Sequence, residues 1–139
     1  MADFDALFAA ASAARGRAHA PYSNYAVGAA LLADDGKIYA GCNVENAAFP
    51  EGWCAETTAI GQMVMGGAKR IVRAVVVASR IDGERVPGGR FCTPCGGCRQ
   101  RLSEFAASPA TEVWAADPDG ASQRFTMAEL LPAGFVLEE

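Results

Sequence analysis

Apolar residues recur at helical spacing near the start of the chain, where Phe4, Leu7, Phe8, Ala11 and Ala14 share one side of an alanine-rich stretch. Residues three and four apart meet on one helix face, so this spacing predicts a first helix from about Asp3 to Ala18. Pro21 and the Tyr22–Ser23–Asn24 turn stop it. Two apolar runs follow, Val27 to Leu32 and Lys37 to Asn43, joined by Ala33–Asp34–Asp35–Gly36, whose Asp–Gly pair signals a hairpin. Beyond a loop rich in Asn, Pro and Gly, a second helix is expected from about Cys54 to Met65, ended by Gly66–Gly67. The β-branched run within Ile71 to Ser79 reads as a buried strand. Ile81 to Phe91 reads as a loop, and a third helix runs from about Gly97 to Ala107. A strand from Glu112 to Ala116, an edge strand from Ser122 to Phe125 and a short helix from Met127 to Leu131 close the chain. With no repeat or low-complexity linker, the pattern predicts one α/β layered domain, residues 1–139, around a mixed sheet.

Composition narrows the chemistry. Half of the 139 residues are hydrophobic (51%) and the net charge is only −4, as in a folded chain rather than a disordered one. The basic residues are scattered, which disfavours nucleic-acid binding. No apolar stretch is long enough to span a bilayer, and Asp3 and Asp5 stand where a secretory signal wants positive charge, so a cytoplasmic location is expected. A single histidine, His19, excludes a two-histidine protease helix and a three-histidine zinc site. His19 itself reads as a dipole partner at the end of the first helix. Five cysteines, Cys42, Cys54, Cys92, Cys95 and Cys98, are an odd number for a disulfide scaffold and suit metal binding in a reducing compartment.

Two fragments concentrate that chemistry: Cys54–Ala55–Glu56 and Pro94–Cys95–Gly96–Gly97–Cys98. A C-x-x-C pair entering a helix aims two sulfurs at one point, and helix N-termini favour thiolate over thiol. Cys54, at the start of the other helix, offers a third sulfur and leaves a fourth zinc position open. Glu56, two residues on, is placed to move protons rather than to ligate. The same pairing of C-x-E with P-C-x-x-C marks the zinc nucleobase deaminases.

On these fragments, with Ala20–Pro21–Tyr22–Ser23, Tyr25–Ala26–Val27–Gly28–Ala29–Ala30–Leu31, Gly41–Cys42–Asn43–Val44–Glu45–Asn46–Ala47 and Leu130–Leu131–Pro132, the chain resembles the small homotetrameric cytidine deaminases of pyrimidine salvage. The resemblance covers nearly the whole chain. It implies a three-layer α/β/α fold with a mixed, about five-stranded sheet, and one Zn2+ held by Cys54, Cys95 and Cys98. It implies hydrolytic deamination of cytidine and 2'-deoxycytidine, with zinc-bound hydroxide adding to C4 and Glu56 shuttling protons. Asn43 and Glu45 match residues that bind the ribose hydroxyls, Tyr25 an aromatic near the base, and Ala55 a further substrate contact. The Thr93 carbonyl matches the acceptor of the leaving amine. Phe49 and Phe135 match residues that neighbouring subunits contribute, in a homotetramer with shared sites.

Two departures stand out. The family commonly carries arginine after C-A-E, hydrogen-bonded to the sulfurs, and this chain has Thr57. Three thiolates on Zn2+ leave a charge of 2 − 3 = −1, so another arginine is expected to reach them, with Arg90 and Arg99 as candidates. Phe49 stands where relatives often have tyrosine, which removes a hydroxyl from a contact between subunits.

Blander readings stand beside these. Cys42 and Cys92 read as small buried hydrophobes, Trp53 and Trp114 as packing residues, with a place on the site wall as the alternative for Trp53 beside Cys54, and the Asn43–Asn46 segment as a surface loop. A structural zinc module closed by Cys42 or Cys92 is one alternative, and an antibiotic-nucleoside deaminase of blasticidin type is another.

Overall fold

The computed structural model describes residues 2–82 and 91–137. Five strands form one sheet in the order β2-β1-β3-β4-β5: β1 Tyr25–Ala33, β2 Ile38–Cys42, β3 Ile71–Arg80, β4 Glu112–Ala116 and β5 Ser122–Thr126. Only the β3–β4 pair is parallel, and the crossover between them carries a helix, as parallel pairing requires. The other pairs are antiparallel. The sheet is mixed, as the pattern predicts.

Alternation along the strands sorts side chains between two cores. Val75 and Val77 of β3 and Ala30 of β1 turn to one face, where α1 (Ala2–Arg15) covers them with Leu7 and Ala11. Ala74 and Val76, with Ala29 and Leu31, turn to the other face. There Ala59, Met63 and Ile60 of α2 (Ala55–Met65), Leu102 of α3 (Gly96–Phe105) and Met127 and Leu130 of α4 (Met127–Leu130) pack against them. The result is three layers, α/β/α. Trp114 packs against Phe4 with ring centroids 5.0 Å apart, as a core residue of the α1 layer.

Two glycines let helices lie directly on the sheet. A Cβ at Gly28 would fall 1.9 Å from the Ala11 carbonyl of α1, and one at Gly41 would fall 2.5 Å from the Ala59 nitrogen of α2. Gly41 therefore sets how closely α2, with Cys54 and Glu56 at its start, sits on β2.

The first helix ends at Arg15, three residues before the expected Ala18. His19 lies outside it, so it is no dipole partner: its N–H donates to the Asn43 carbonyl (3.1 Å) and its carbonyl accepts from Glu45 N–H (2.8 Å). Pairing with the segment after β2 pulls the chain out of helical register. Phe49–Glu51, within the expected loop, forms one 3-10 turn with Pro50 inside it.

Candidate active site

Two helix starts converge at the site. Cys54 caps α2 and Cys95 caps α3, both with extended backbone and neither with a side-chain capping bond, so their sulfurs are not spent on the helix ends. Trp53 delivers Cys54: it exchanges backbone hydrogen bonds with Val44 (2.9 and 3.0 Å), and its indole N–H donates to the Thr58 hydroxyl, which donates to the Cys42 carbonyl. Pro94 delivers Cys95, since proline fixes its own φ and keeps the preceding residue extended. Cys98 then lies in the first turn of α3, fully buried.

The sulfurs of Cys54, Cys95 and Cys98 lie within 4.8 Å of one another, and those of Cys54 and Cys95 are 3.7 Å apart. Two thiolates ~2.3 Å from one tetrahedral ion stand ~3.8 Å apart, so the donor set fits a zinc ion. All three cysteines are free, and Cys42 and Cys92 stand outside the group. Crowding splits the thiols. Hydrogen bonding from Cys98 draws Cys54 down to about 6, while the bond to Cys54, together with burial, pushes Cys98 well above the usual thiol value.

Glu56, the second residue of α2, is 3% exposed. Burial raises its carboxyl above the ordinary value, and the neighbouring Cys54 charge adds to the effect; the bond with Cys98 and the charge of Arg101 oppose it. It opens on a cavity of about 550 Å³ that Cys54, Ala55, Asn43, Glu45, Phe49 and Trp53 also line. Trp53 is thus 48% exposed on this wall rather than a packing residue.

The polar residues of the cavity, Asn43 and Glu45, are preorganised. The Asn43 amide donates to the Tyr25 carbonyl and accepts from Val27 N–H, both at 2.9 Å, which locks its orientation and leaves one N–H and one lone pair. The Glu45 carboxylate accepts from Tyr22 N–H (2.9 Å), Ser23 N–H (3.2 Å) and the Ser23 hydroxyl, and the hydroxyl bond above all holds it below the usual carboxylate range. Ser23 carries this support; the sequence pattern shows it only as a turn residue.

The other expected site residues differ in where they lie. Tyr25 is off the cavity wall: its hydroxyl bonds Cys92, and burial with that bond raises it strongly. Cys92 is exposed, not a buried hydrophobe. The Thr93 hydroxyl accepts from Arg99, and the Thr93 carbonyl, the group expected to meet the leaving amine, lies 3.9 Å from the Cys92 sulfur. Phe49 lines the cavity of its own chain and meets Tyr22 edge-on at 5.7 Å. Phe135 is 70% exposed, with both its backbone groups bonded to the Gln100 amide. Arg90 lies outside the described residues.

Arg99 does not reach the sulfurs. Its guanidinium donates to the Pro94 carbonyl (2.8 Å), the Thr93 hydroxyl (2.8 Å) and the Leu130 carbonyl (2.9 Å), tying the Cys95 turn to α4. One position past Cys98, it turns about 100° away on the helix. Arg101, three positions past, shares the ligand's face, and its Nη1 is 3.9 Å from the Cys98 sulfur. That spacing was the signal in the sequence.

Comparison with known proteins gives the same answer as the geometry. The family model described as "Cytidine and deoxycytidylate deaminase zinc-binding region" matches residues 1–111. A cytidine deaminase of Sporosarcina psychrophila is 39% identical over 137 residues, covering 99% of this chain and 94% of its own length. A probable cytidine deaminase of Dictyostelium discoideum is 41% identical over 122 residues, 88% of this chain and 76% of that one. The crystal structure of a Burkholderia pseudomallei cytidine deaminase superposes with a TM-score of 0.82 at 38% identity, over 94% of this chain and 98% of that one. By sequence along nearly its full length, by fold and by its trio of free thiols, this chain belongs to the cytidine and deoxycytidylate deaminase family.

Proposed function

We propose that this chain hydrolytically deaminates cytidine and 2'-deoxycytidine to the corresponding uridines and ammonia, within pyrimidine salvage in the cytoplasm. The observation that carries the reading is the buried Glu56 carboxyl, held beside three sulfurs spaced for one ion, at the head of a nucleoside-sized cavity. A bound Zn2+ supplies a Lewis acid that lowers the pKa of water from ~15.7 to about 7. Cys54, Cys95 and Cys98 hold it. Glu56 accepts one proton of the attacking water and delivers it to N3 of the ring as C4 is attacked; it then takes the proton of the new C4 hydroxyl and passes it to the amine, which leaves as ammonia as the C4 carbonyl forms. Its raised affinity for a proton suits a group that must donate as well as accept. Asn43, through its spare N–H and lone pair, and Glu45, through its carboxylate, hold the sugar hydroxyls. Phe49 and Trp53 supply apolar walls for the base.

Assembly belongs to the same proposal. Phe49 is 74% exposed, Met65 86% and Leu137 80%, apolar surface that a homotetramer buries, and the outward ring of Phe135 is available to a neighbouring site. Gel filtration with light scattering reads four chains per particle if this is right, and a monomer if it is wrong.

The decisive test is loss of cytidine absorbance with wild type and Glu56→Gln, zinc being measured in both. Retained zinc with turnover lowered about 10²- to 10⁴-fold is expected. Full activity in the variant overturns the role.

A further inference from the structure

We propose that Arg101 is the residue that neutralises the excess negative charge of the metal site, acting through the Cys98 sulfur from the second turn of α3. The inference rests on the reading of Cys54, Cys95 and Cys98 as the metal ligands. Three thiolates and one divalent cation sum to 2 − 3 = −1, and the fully buried Cys98 is the sulfur least able to share its charge with water. The helix starts at Cys54 and Cys95 contribute only partial positive charge. The Arg101 guanidinium supplies a whole one, with Nη1 at 3.9 Å from the Cys98 sulfur.

The surroundings are shaped for that arm. A Cβ at Gly97 would sit 3.2 Å from Arg101 Nη1 and 3.9 Å from its Cζ, so the glycine between the two α3 sulfurs keeps open the ground the guanidinium lies across. Thr57 of α2 and Arg101 also line a common cavity of about 340 Å³. The Thr57 hydroxyl oxygen is buried there without a hydrogen-bond partner. Position 57 thus faces the same space without serving the sulfurs, and leaves the task to α3. Arg99, fully engaged with Pro94, Thr93 and Leu130, is not free to take it.

Arg101 is a positioning and charge-balancing residue that acts through the Cys98 sulfur, so its effect is read at the metal. Zinc affinity is measured by competition with a chromophoric chelator for wild type, R101Q, R101K and the double variant T57R/R101Q. The sulfur-to-metal charge-transfer band is recorded for each protein loaded with Co2+. Loss of a group that supports ligands lowers metal affinity about 10- to 100-fold. That loss is expected in R101Q, with a smaller one in R101K and a shifted cobalt band in R101Q. T57R/R101Q, with its guanidinium sent into the shared cavity from α2, is expected to regain at least tenfold over R101Q. Should R101Q not fold, R101K and T57R/R101Q against wild type give the comparison. R101Q affinity within twofold of wild type, or no gain on adding T57R, overturns the inference. A wild-type chain that takes up no zinc overturns the ligand reading itself, which is a separate result.

Discussion

Replacing Arg99 with methionine keeps an unbranched stem and deletes the guanidinium that donates to Pro94, Thr93 and Leu130 at 2.8, 2.8 and 2.9 Å. A hydrogen bond from a charged donor contributes about 1.5–3 kcal/mol when its partner is otherwise stranded. The bonds are only partly buried, so their acceptors regain water in part, and about 1 kcal/mol each, ~3 kcal/mol in total, is the better measure. For a chain of 139 residues, 1 kcal/mol moves the melting temperature by about 3–4 °C, so a fall of about 10 °C is expected. None of the three bonds involves a sulfur, and the fall must therefore appear in metal-free protein as fully as in zinc-loaded protein. Thermal melts followed by circular dichroism on both forms measure it, with Thr93→Val as a control that loses a single bond. If metal-free Arg99→Met melts within 2 °C of wild type, the guanidinium is not what ties the Cys95 turn to α4.

Other consequences follow from the same geometry. Gly41→Ala drives a methyl into the Ala59 nitrogen and the Thr58 Cβ; it costs about 1–3 kcal/mol and lowers turnover by lifting α2, read by denaturant melts and by cytidine assay. Gly61→Ala, in the same helix with open space at its Cβ, stabilises by about 0.5–1 kcal/mol in the same melts. In metal-free protein Cys54 is a thiolate above about pH 6, so its alkylation rate rises through that pH and levels off near neutrality. Cys98, pushed the other way, stays unreactive, and zinc protects both, as peptide mapping after iodoacetamide shows.

Most of the scaffold was legible because it rests on local periodicity. The period of two in β3 separates Val75 and Val77 from Ala74 and Val76, and the helical spacing of Leu7 and Ala11 finds the face of α1. The thiol trio was equally legible, since a C-x-x-C at one helix start and a lone cysteine at another need only the fold to bring them together. What escaped was fixed by contacts distant in sequence. The end of α1 at Arg15 had a local signal in Gly16, the next residue, while the pairing of His19 with Asn43 and Glu45 that follows had none. The resemblance sets Tyr25 near the base, and nothing local in the sequence points to Cys92 as the neighbour of its hydroxyl, some seventy positions away.

The arginines divide along the same line, and they show how local chemistry is read against helical geometry. Arg99 adjoins Cys98 in sequence and is one of the two arginines expected at the sulfurs. On a helix, adjacency is the wrong measure, because each residue turns by about 100° and the third one on returns to the same face. Arg101 obeys that rule and reaches Cys98, while Arg99 is thrown toward α4 and secures the backbone that carries Cys95. Both cations serve the metal site, one through charge and one through placement. They are therefore separable by experiment: loss of Arg99 weakens the fold with or without zinc, and loss of Arg101 shows in the hold on the metal.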